Sequence, residues 1–425
     1  MYRARLIAAG LLAFLAWPAG DAFAGGLSFS EHGAKATGMA NAFAGQADDP
    51  SAIFYNPAGI TQLPGVQAMA GTAIVYLDSV FRSSTTGESM QLQDHFPLVP
   101  HLYITHRFSK WDERFSIGMG VYTPFGIVVD WPDNWQGRFD STNAKLRVTI
   151  YNPVVAFQAT TRLSVAAGIR IADVAAEFEQ KFNIGTGESK LRGYDLAAHP
   201  IGWNAGLLYR LTETTSVGLQ FKSELQAKLR GRADINGPGA AGLGSANGFA
   251  TAGFHGNIKL PPQVVGGFSV RMMPRWTVNA DIEWQGWKTL GSLPRDFVGS
   301  TALDSVSRRL WNNSWVYRLG AEYAATDRLA LRGGYFYDET PIPDNTFDAN
   351  IPNANLHGLT AGSGYRWDRA TFDVAYLIGF YEKRSIDNAT FDPNNKGGAR
   401  GLGPPAFGSY STTSHVLTVS VIFKF

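Results

Sequence analysis

Hydrophobic and polar residues alternate one by one through long stretches of this chain. At the C-terminus, Leu417, Val419, Val421, Phe423 and Phe425 alternate with mostly polar neighbours. Comparable runs occupy 276–284, 315–323 and 372–380. Such alternation places one set of side chains on each face of a β-strand. The runs reach the ~9–11 residues that a tilted strand needs to cross a bilayer, and aromatic residues near their ends match the interfacial girdles of a membrane barrel.

Short and long connections alternate between the strands that this pattern predicts. The predicted strands are 66–82, 97–109, 114–123, 145–160, 163–180, 201–211, 215–234, 255–273, 275–287, 307–325, 328–338, 356–367, 370–384 and 412–425. The long connections are 83–96, 124–144, 181–200, 235–254, 288–306, 339–355 and 385–411. Outer-membrane barrels have short periplasmic turns and longer extracellular loops. The sequence therefore predicts an all-β fold, a 14-stranded antiparallel transmembrane β-barrel over 66–425, with both termini on the periplasmic side.

The N-terminus has the features of a secretory signal peptide. Arg3 and Arg5 precede an apolar run over 6–17, and Ala22-Phe23-Ala24 supplies small residues at the two positions that a signal peptidase reads. The run is too short and wrongly flanked for a membrane-spanning helix. We expect cleavage after Ala24, so that 1–24 directs export and the mature protein resides in the bacterial outer membrane.

Composition removes several classes of function. The 425 residues carry a formal charge of +2, which gives no electrostatic case for a nucleic-acid partner, and a mean hydropathy of −0.10 excludes a polytopic helical membrane protein. The absence of Cys excludes disulfides, Cys-based zinc sites and cysteine nucleophiles. The eight His residues are scattered without the spacing of a helical metal motif. The sequence predicts no catalytic residue, no metal and no cofactor, and therefore no enzyme.

About forty residues before the first strand, 25–65, lack strand alternation and are rich in Gly and Ala. A barrel of this size is too wide for wall side chains alone to fill. Apolar residues such as Leu27, Phe43 and Phe54 would be poorly placed in water. We therefore expect 25–65 to form a plug, or hatch, inside the lumen.

Several motifs carry a resemblance to a known family. The stretch 48–59 contains Asn56-Pro57-Ala58, and it is followed by Gly118-Met119-Gly120 with Pro124-Phe125-Gly126, by Tyr151-Asn152-Pro153-Val154, by Leu260-Pro261-Pro262 and by a terminal Phe425. In this order the motifs resemble the FadL/TodX family of outer-membrane transporters of hydrophobic compounds, over nearly the whole mature chain. The resemblance implies passive, inward transport of long-chain fatty acids or aromatic hydrocarbons.

The resemblance also implies a route and the residues along it. A ligand would lodge on extracellular loops and then in a luminal pocket touched by Leu27, Phe29 and Glu31. Movement of the plug, with its motif Asn56, Pro57 and Ala58, would release the ligand sideways through a gap in the third strand. The residues of that strand allow a gap: Pro removes a ladder donor and Gly weakens a strand or marks a bulge. The lateral-opening residues are Gly118, Gly120, Pro124, Phe125 and Gly126.

Three further sets of residues follow. Arg170, Arg318 and Arg332 point into the lumen by alternation and could hold a carboxylate, although pairing with inward acids is an equally ordinary role for them. The low-charge loop 235–254, with Leu243, Phe249 and Phe254, is a candidate for first capture of a ligand or a flexible linker. Phe425 would serve as a signal to the barrel-assembly machinery. The predicted partners are a hydrophobic small molecule, outer-membrane lipids and that machinery.

A porin for small hydrophilic solutes is the alternative from the same compartment. It would carry opposed charges on a constriction loop, and Asp130, Asp133, Arg138 and Asp140 are a modest match. A lumen filled by the plug argues against an open aqueous pore.

Overall fold

A computed structural model describes residues 27–109, 112–183, 187–243, 245, 248–299, 304–387 and 406–425. The predicted signal peptide, 1–24, lies outside the described residues. Within those ranges, the search for a helix long and apolar enough to span a bilayer finds none.

The described chain is mostly strand. The strands are β1 (Val66–Ser83), β2 (Ser89–Gln91), β3 (Leu98–Arg107), β4 (Phe115–Asp130), β5 (Asn143–Gln158), β6 (Leu163–Asn183), β7 (Glu188–Ala198), β8 (Ile201–Arg210), β9 (Thr215–Lys222), β10 (Leu225–Asn236), β11 (Phe249–Leu260), β12 (Gln263–Met273), β13 (Trp276–Gln285), β14 (Ser292–Phe297), β15 (Ser305–Arg308), β16 (Ser314–Ala324), β17 (Leu329–Asp338), β18 (Leu356–Trp367), β19 (Ala370–Tyr381), β20 (Arg384–Ile386) and β21 (Gly408–Lys424). The helices are α1 (Ala34–Thr37) and α2 (Ala52–Tyr55), and 3₁₀ turns occupy Pro57–Gln62, Pro238–Leu243, Trp287–Thr289 and Asp344–Thr346.

Fourteen of these strands close into an antiparallel barrel, as predicted. The wall runs β1-β3-β4-β5-β6-β8-β9-β12-β13-β16-β17-β18-β19-β21, and β21 pairs back with β1 from Gln67↔Lys424 to Ser83↔Gly408. Closure pairs every wall strand with a neighbour on both sides over most of its length, as backbone groups in lipid require.

Several predicted boundaries are wrong, including that of the strand predicted over 307–325, which divides into β15 and β16. The predicted strands 215–234 and 255–273 each divide into a wall strand and a strand above the wall, β9 with β10 and β11 with β12. Alternation continues across each division, so the hydrophobic pattern alone did not reveal it. The third strand also runs on to Asp130 rather than ending at 123.

The strands outside the wall form a sheet at the extracellular end of the barrel. It is built from β7, β10, β11, β14 and β15, which pair in that order, and β7 also pairs with the upper part of β6. Parts of the predicted long loops are therefore ordered strands. We call this the extracellular sheet.

Side-chain exposure divides the wall into an apolar exterior and a mixed interior. Leu359 is 52% exposed and Leu319 is 56% exposed on outward positions, whereas the inward Asn279 and Asn204 are fully buried. Apolar residues outward and polar residues inward is the arrangement that a lipid-embedded barrel requires.

Residues 27–65, here called the N-terminal segment, pack inside the barrel. Ala34, Phe43, Ile53, Asn56 and Ala58 have no exposed surface. Wall side chains hold the backbone of the segment: Asp281 accepts hydrogen bonds from the amides of Phe43 and Ala44, both at 2.9 Å.

Candidate functional site

An apolar cavity lies at the extracellular end of the lumen. Its lining comes from the upper parts of wall strands and from the extracellular sheet. The apolar lining residues are Leu27, Ile127, Leu146, Phe178, Leu196, Leu229, Ile258, Leu290, Leu293 and Ile351. A predominantly apolar cavity with a few charged groups on its lining is typical of small-molecule sites.

Residues 27–29 form the boundary between this cavity and a smaller space below. Leu27 lines the apolar cavity, whereas Phe29 lines a more polar space of about 370 Å³ that also contains Lys222, Glu283 and Arg318. Leu27 and Phe29 are 4% and 1% exposed. The two residues that the family resemblance associates with the ligand thus lie on either side of one boundary.

Glu31 lies deeper in the segment. Its carboxylate accepts hydrogen bonds from the Ser30 amide (3.1 Å) and the Asn41 side chain (3.0 Å), and Tyr55 donates to Asn41 (2.8 Å). Burial raises the pKa of Glu31 above its usual range. Glu31 does not line the apolar cavity. Its hydrogen bonds lie within the N-terminal segment and support that segment.

The third wall strand, β4, is interrupted in its pairing. β3 pairs with β4 only as far as Val121, and the register with β5 shifts between Tyr122 and Phe125. Beyond Val121 the upper part of β4 therefore has no β3 partner. Pairing is intact at Gly118 and Gly120, and the interruption begins after them.

Gly118 and Gly120 do not weaken the pairing of the strand. They leave room for the N-terminal segment. An added Cβ on Gly118 would lie 2.8 Å from Ile53 Cδ1, and one on Gly120 would lie 2.9 Å from Ile53 Cγ2. The lack of side chains at both positions lets Ile53 of the N-terminal segment approach the wall.

The N-terminal segment pairs with β4 where β3 no longer does. The amide of Phe29 donates to Pro124 O (2.8 Å), and the amide of Gly126 donates to Leu27 O (3.0 Å). These bonds flank the bridge between Ser28 and Phe125. Residues 27–29 thus supply backbone partners at the interruption, although no sequence feature of 27–29 predicted this pairing.

The motif residues Asn56, Pro57 and Ala58 anchor the segment to β8, three wall strands along from β4. The Asn56 side-chain amide donates to Ala44 O (2.9 Å) and to Leu207 O on β8 (3.0 Å), and its oxygen accepts from the Ala58 amide (3.3 Å). Pro57 begins the 3₁₀ turn that Asn56 caps.

The three predicted arginines do point inward, but none lines the apolar cavity. Arg318 pairs with Glu283 (2.7 Å), and Arg332 pairs with Glu322 (2.7 Å) and Asp373 (2.6 Å). Arg170 is buried and donates to Ser223 O (3.0 Å), with no ion pair among the residues described. Two of the three arginines, Arg318 and Arg332, thus pair with inward acids.

Four cations that line the cavities were missed from the sequence: Lys145, Arg295 and Arg309 at the apolar cavity, and Lys222 at the space below. Arg309 pairs with Asp348. Arg295 on β14 lines the apolar cavity, donates to Gln180 (2.6 Å) and lies 4.8 Å from the ring centroid of Phe178. Burial lowers its pKa to about 10, so it remains charged at neutral pH. Lys222 lies 3.7 Å from the ring centroid of Phe54. In the described chain neither Arg295 nor Lys222 forms an ion pair.

Of Arg295 and Lys222, only Lys222 left a signal in the sequence. It occupies an inward position of an alternating run, so alternation places its side chain in the lumen. Arg295 falls in a predicted long loop, where alternation gives no direction for a side chain. Its place on the cavity depends on the extracellular sheet.

The residues predicted to capture a ligand differ in their exposure. Phe249 is 53% exposed, whereas Phe254 is buried and its ring centroid lies 5.3 Å from that of Phe178 and 5.4 Å from that of Phe297. Leu243 is the last residue of a 3₁₀ turn. Much of 235–254 is therefore ordered, and the prediction of a flexible linker does not describe Phe254.

Two predictions remain, the terminal Phe425 and the expectation of no metal site. Phe425 follows β21 and donates its amide to Val66 O (3.0 Å), with its side chain 53% exposed. Over the described ranges, no group of three or more His, Asp or Glu side chains is arranged to hold a metal ion.

Comparisons with known proteins agree with this architecture. The family model described as "Outer membrane protein transport protein (OMPP1/FadL/TodX)" matches residues 15–425. A long-chain fatty acid transport protein of Salmonella typhi is 24% identical, with 88% of this chain and 90% of that protein covered. Outer membrane protein P1 of Haemophilus influenzae is 24% identical, with 84% and 86% covered.

Solved structures share the fold. A FadL homologue of Pseudomonas aeruginosa superposes with a TM-score of 0.82 at 20% identity, covering 94% of this chain and all of the other. The toluene transporter TbuX of Ralstonia pickettii gives a TM-score of 0.70 at 18% identity, with 93% and 99% covered. The predicted alternative of a porin for hydrophilic solutes is not supported by these matches. The chain belongs to the FadL/TodX family of outer-membrane transport proteins.

Proposed function

We propose that the protein admits long-chain fatty acids through the outer membrane without an energy source, and that it performs no catalysis. The observation that carries this proposal is the apolar cavity with Arg295 on its lining and Leu27 as its boundary toward the interrupted strand. The cavity suits a hydrocarbon chain, and a guanidinium can hold a carboxylate through two parallel hydrogen bonds.

The choice of a fatty acid over a neutral hydrocarbon rests on charge. A neutral hydrocarbon gains nothing from Arg295, whereas a carboxylate can accept from the guanidinium N–H groups that Gln180 leaves free. Curated relatives from Salmonella typhi and Escherichia coli are named as long-chain fatty acid transport proteins, which also supports the proposal.

We infer a route in three steps. An apolar chain first contacts exposed Phe249 and enters the cavity from outside. Displacement of residues 27–29 then breaks the two backbone bonds to β4 and opens the boundary below Leu27. The ligand leaves through the wall beside the unpaired part of β4, at Pro124, Phe125 and Gly126, into the bilayer. Residues 25–65 act as the plug, and Asn56 keeps most of it in place.

Uptake by cells that lack their own carrier tests this function. Radiolabelled oleate and toluene are compared for the wild type, Arg295→Gln and Arg295→Lys, with Arg275→Gln at a periplasmic turn as the control. We expect Arg295→Gln to lower oleate uptake about tenfold, the effect of losing a charge-assisted hydrogen bond, with partial recovery in Arg295→Lys. Arg275→Gln should match the wild type.

The other outcomes contradict the proposal in distinct ways. Entry of toluene without oleate would assign an aromatic hydrocarbon instead. Equal loss of uptake in Arg295→Gln and Arg275→Gln would remove the role of Arg295. Entry of small sugars but of neither apolar compound would return the function to a porin.

A further inference from the structure

The outer surface near β8 and β9 changes abruptly from apolar to basic. Outward residues at the upper end of these strands are apolar: Ile201 is 71% exposed, Trp203 is 53% exposed and Leu219 is 50% exposed. The rings of Trp203 and Phe221 lie 4.7 Å apart, as in an interfacial aromatic girdle. β10 and β11 then continue upward, beyond the end of the apolar band.

The outward face of β10 and β11 carries a group of cations. Lys228 and Arg230 on β10 are exposed, while the alternate residues Ala227 and Leu229 are buried. The register brings Arg230 opposite His255 on β11, and Gln226 opposite Lys259. We call Lys228, Arg230 and Lys259, with His255 between them, the basic face.

Three other cations of the extracellular sheet are paired with acids. Lys190 lies 2.6 Å and Arg192 lies 3.3 Å from Glu179, and Arg232 lies 3.5 Å from Asp195.

By contrast, none of the three cations of the basic face has an ion pair within the described ranges. Asp296 on β14 lies opposite His255 in the register, and Glu224 lies just before β10, but neither forms an ion pair with these cations among the described residues. Asp234 on β10 accepts hydrogen bonds from Tyr194 and Thr251 instead. Three unneutralised cations on one face favour an external anion.

We propose that the basic face binds the phosphorylated head group of an outer-leaflet glycolipid. Its position immediately above the apolar band is the level at which lipid head groups lie. Arg binds phosphate through paired N–H groups and Lys binds it as a point charge. The apolar residues below would meanwhile contact the acyl chains of the same lipid.

The opposite side of the barrel provides a contrast at the corresponding level. There Tyr335 lies 2.8 Å from His357, and Tyr376 lies 2.6 Å from His415, on outward positions of β17, β18, β19 and β21. His357 lies 3.4 Å from Glu382. That side presents Tyr–His pairs with an acidic neighbour in place of a group of cations.

Lipid titration of the purified full-length protein in detergent tests the proposal. The probes are bisphosphorylated lipid A, its dephosphorylated form and inorganic phosphate, and the readout is the midpoint of thermal unfolding. The test variant is the triple substitution Lys228→Gln, Arg230→Gln and Lys259→Gln. The control variant removes the same charge from exposed extracellular positions elsewhere: Arg82→Gln, Lys288→Gln and Lys383→Gln.

We expect bisphosphorylated lipid A to raise the midpoint for the wild type and the control. The triple variant should need at least about tenfold more lipid, because each Lys or Arg near an anionic lipid surface adds to the electrostatic attraction. Phosphate retained per protein after purification should fall in the same variant.

An equal response of test and control variants would overturn the proposal, as would an equal response to dephosphorylated lipid. A response to inorganic phosphate at similar concentration would show a free-anion site rather than a lipid contact. None of these outcomes depends on which compound the protein transports.

Discussion

The two parts of the N-terminal segment are held in different ways. Residues 34–65 lie against wall strands whose glycines leave room for them. Residues 27–32 lie at the interruption of β4, where backbone pairing is confined to two hydrogen bonds. The difference indicates that one part of the segment is fixed and the other releasable.

Glycines on neighbouring strands create the fixed part of this interface. A Cβ on Gly218 would collide with Ala44 O, and one on Gly320 would collide with Met39 O. A Cβ on Gly267 would lie 2.6 Å from Gly45 N, and one on Gly334 would lie 2.7 Å from the carbonyl carbon of Met39. The wall therefore contacts the main chain of residues 39–45 directly, where it leaves no space to move.

Locking the releasable part should have the largest effect on transport. Ser28 and Phe125 face each other as a pair flanked by backbone bonds, the pair type with the closer Cα atoms, and the chain has no native Cys. We expect the double variant Ser28→Cys and Phe125→Cys to lose nearly all oleate uptake when oxidised and to regain it on reduction. Uptake that persists with the disulfide formed would place the moving element elsewhere. The single-Cys variants control for the substitutions.

Disturbing the fixed part should instead reduce the stability of the fold. Gly267→Ala forces its Cβ against Gly45, at a cost of about 3 kcal/mol, whereas a Cβ on the adjacent Gly266 meets its nearest atom at 3.8 Å. Gly266→Ala should therefore stay within about 0.5 kcal/mol of the wild type. Urea unfolding in lipid vesicles measures both. Similar losses in the two variants would contradict the close fit.

Asn56→Ala tests the anchor of the fixed part with a smaller change. It removes the donors to Ala44 O and Leu207 O, and leaving buried carbonyls unpaired costs about 2 kcal/mol. The exposed Asn236→Ala serves as its control. A loss of uptake without a loss of stability would assign Asn56 to the moving part instead.

A change of pH should have the smallest effect, and it should act on the stability of the fixed part through Asp49. Burial raises the pKa of Asp49 from 3.8 to about 6, and its carboxylate accepts from the Ser51 amide (2.8 Å) and hydroxyl (2.5 Å). Between these pH values the folded carboxyl keeps a proton that the unfolded one loses, so stability falls as the pH rises from about 4 to 6. Asp49→Asn should therefore gain about 1 kcal/mol over the wild type at pH 7.5 and nothing at pH 3.5. The difference in unfolding midpoint at the two pH values measures this.

The barrel was predictable because its signal is local. Each wall strand shows its own alternation, and the even count and short turns follow from reading along the chain. Extracellular strands such as β10 were missed because their alternation continues that of the wall strand below them. The break between β9 and β10 at 223–224 changes the path of the chain but not the alternation of hydrophobic and polar residues.

The site was harder to predict because it joins distant parts of the chain. The residues of the apolar cavity run from Leu27 to Ile351, and no local pattern relates them. Arg170, Arg318 and Arg332 were correctly oriented by alternation. The position of Arg295 on the cavity depends instead on the path of β14, which brings it there from a predicted loop.

The glycine-lined interface has a consequence for the cell's permeability barrier. If residues 34–65 remain against the wall while residues 27–32 move, the lumen stays closed to water, ions and hydrophilic toxins throughout each passage. A bacterium could then display many copies of such a protein without leaking solutes, because entry of an oily molecule never requires an aqueous hole.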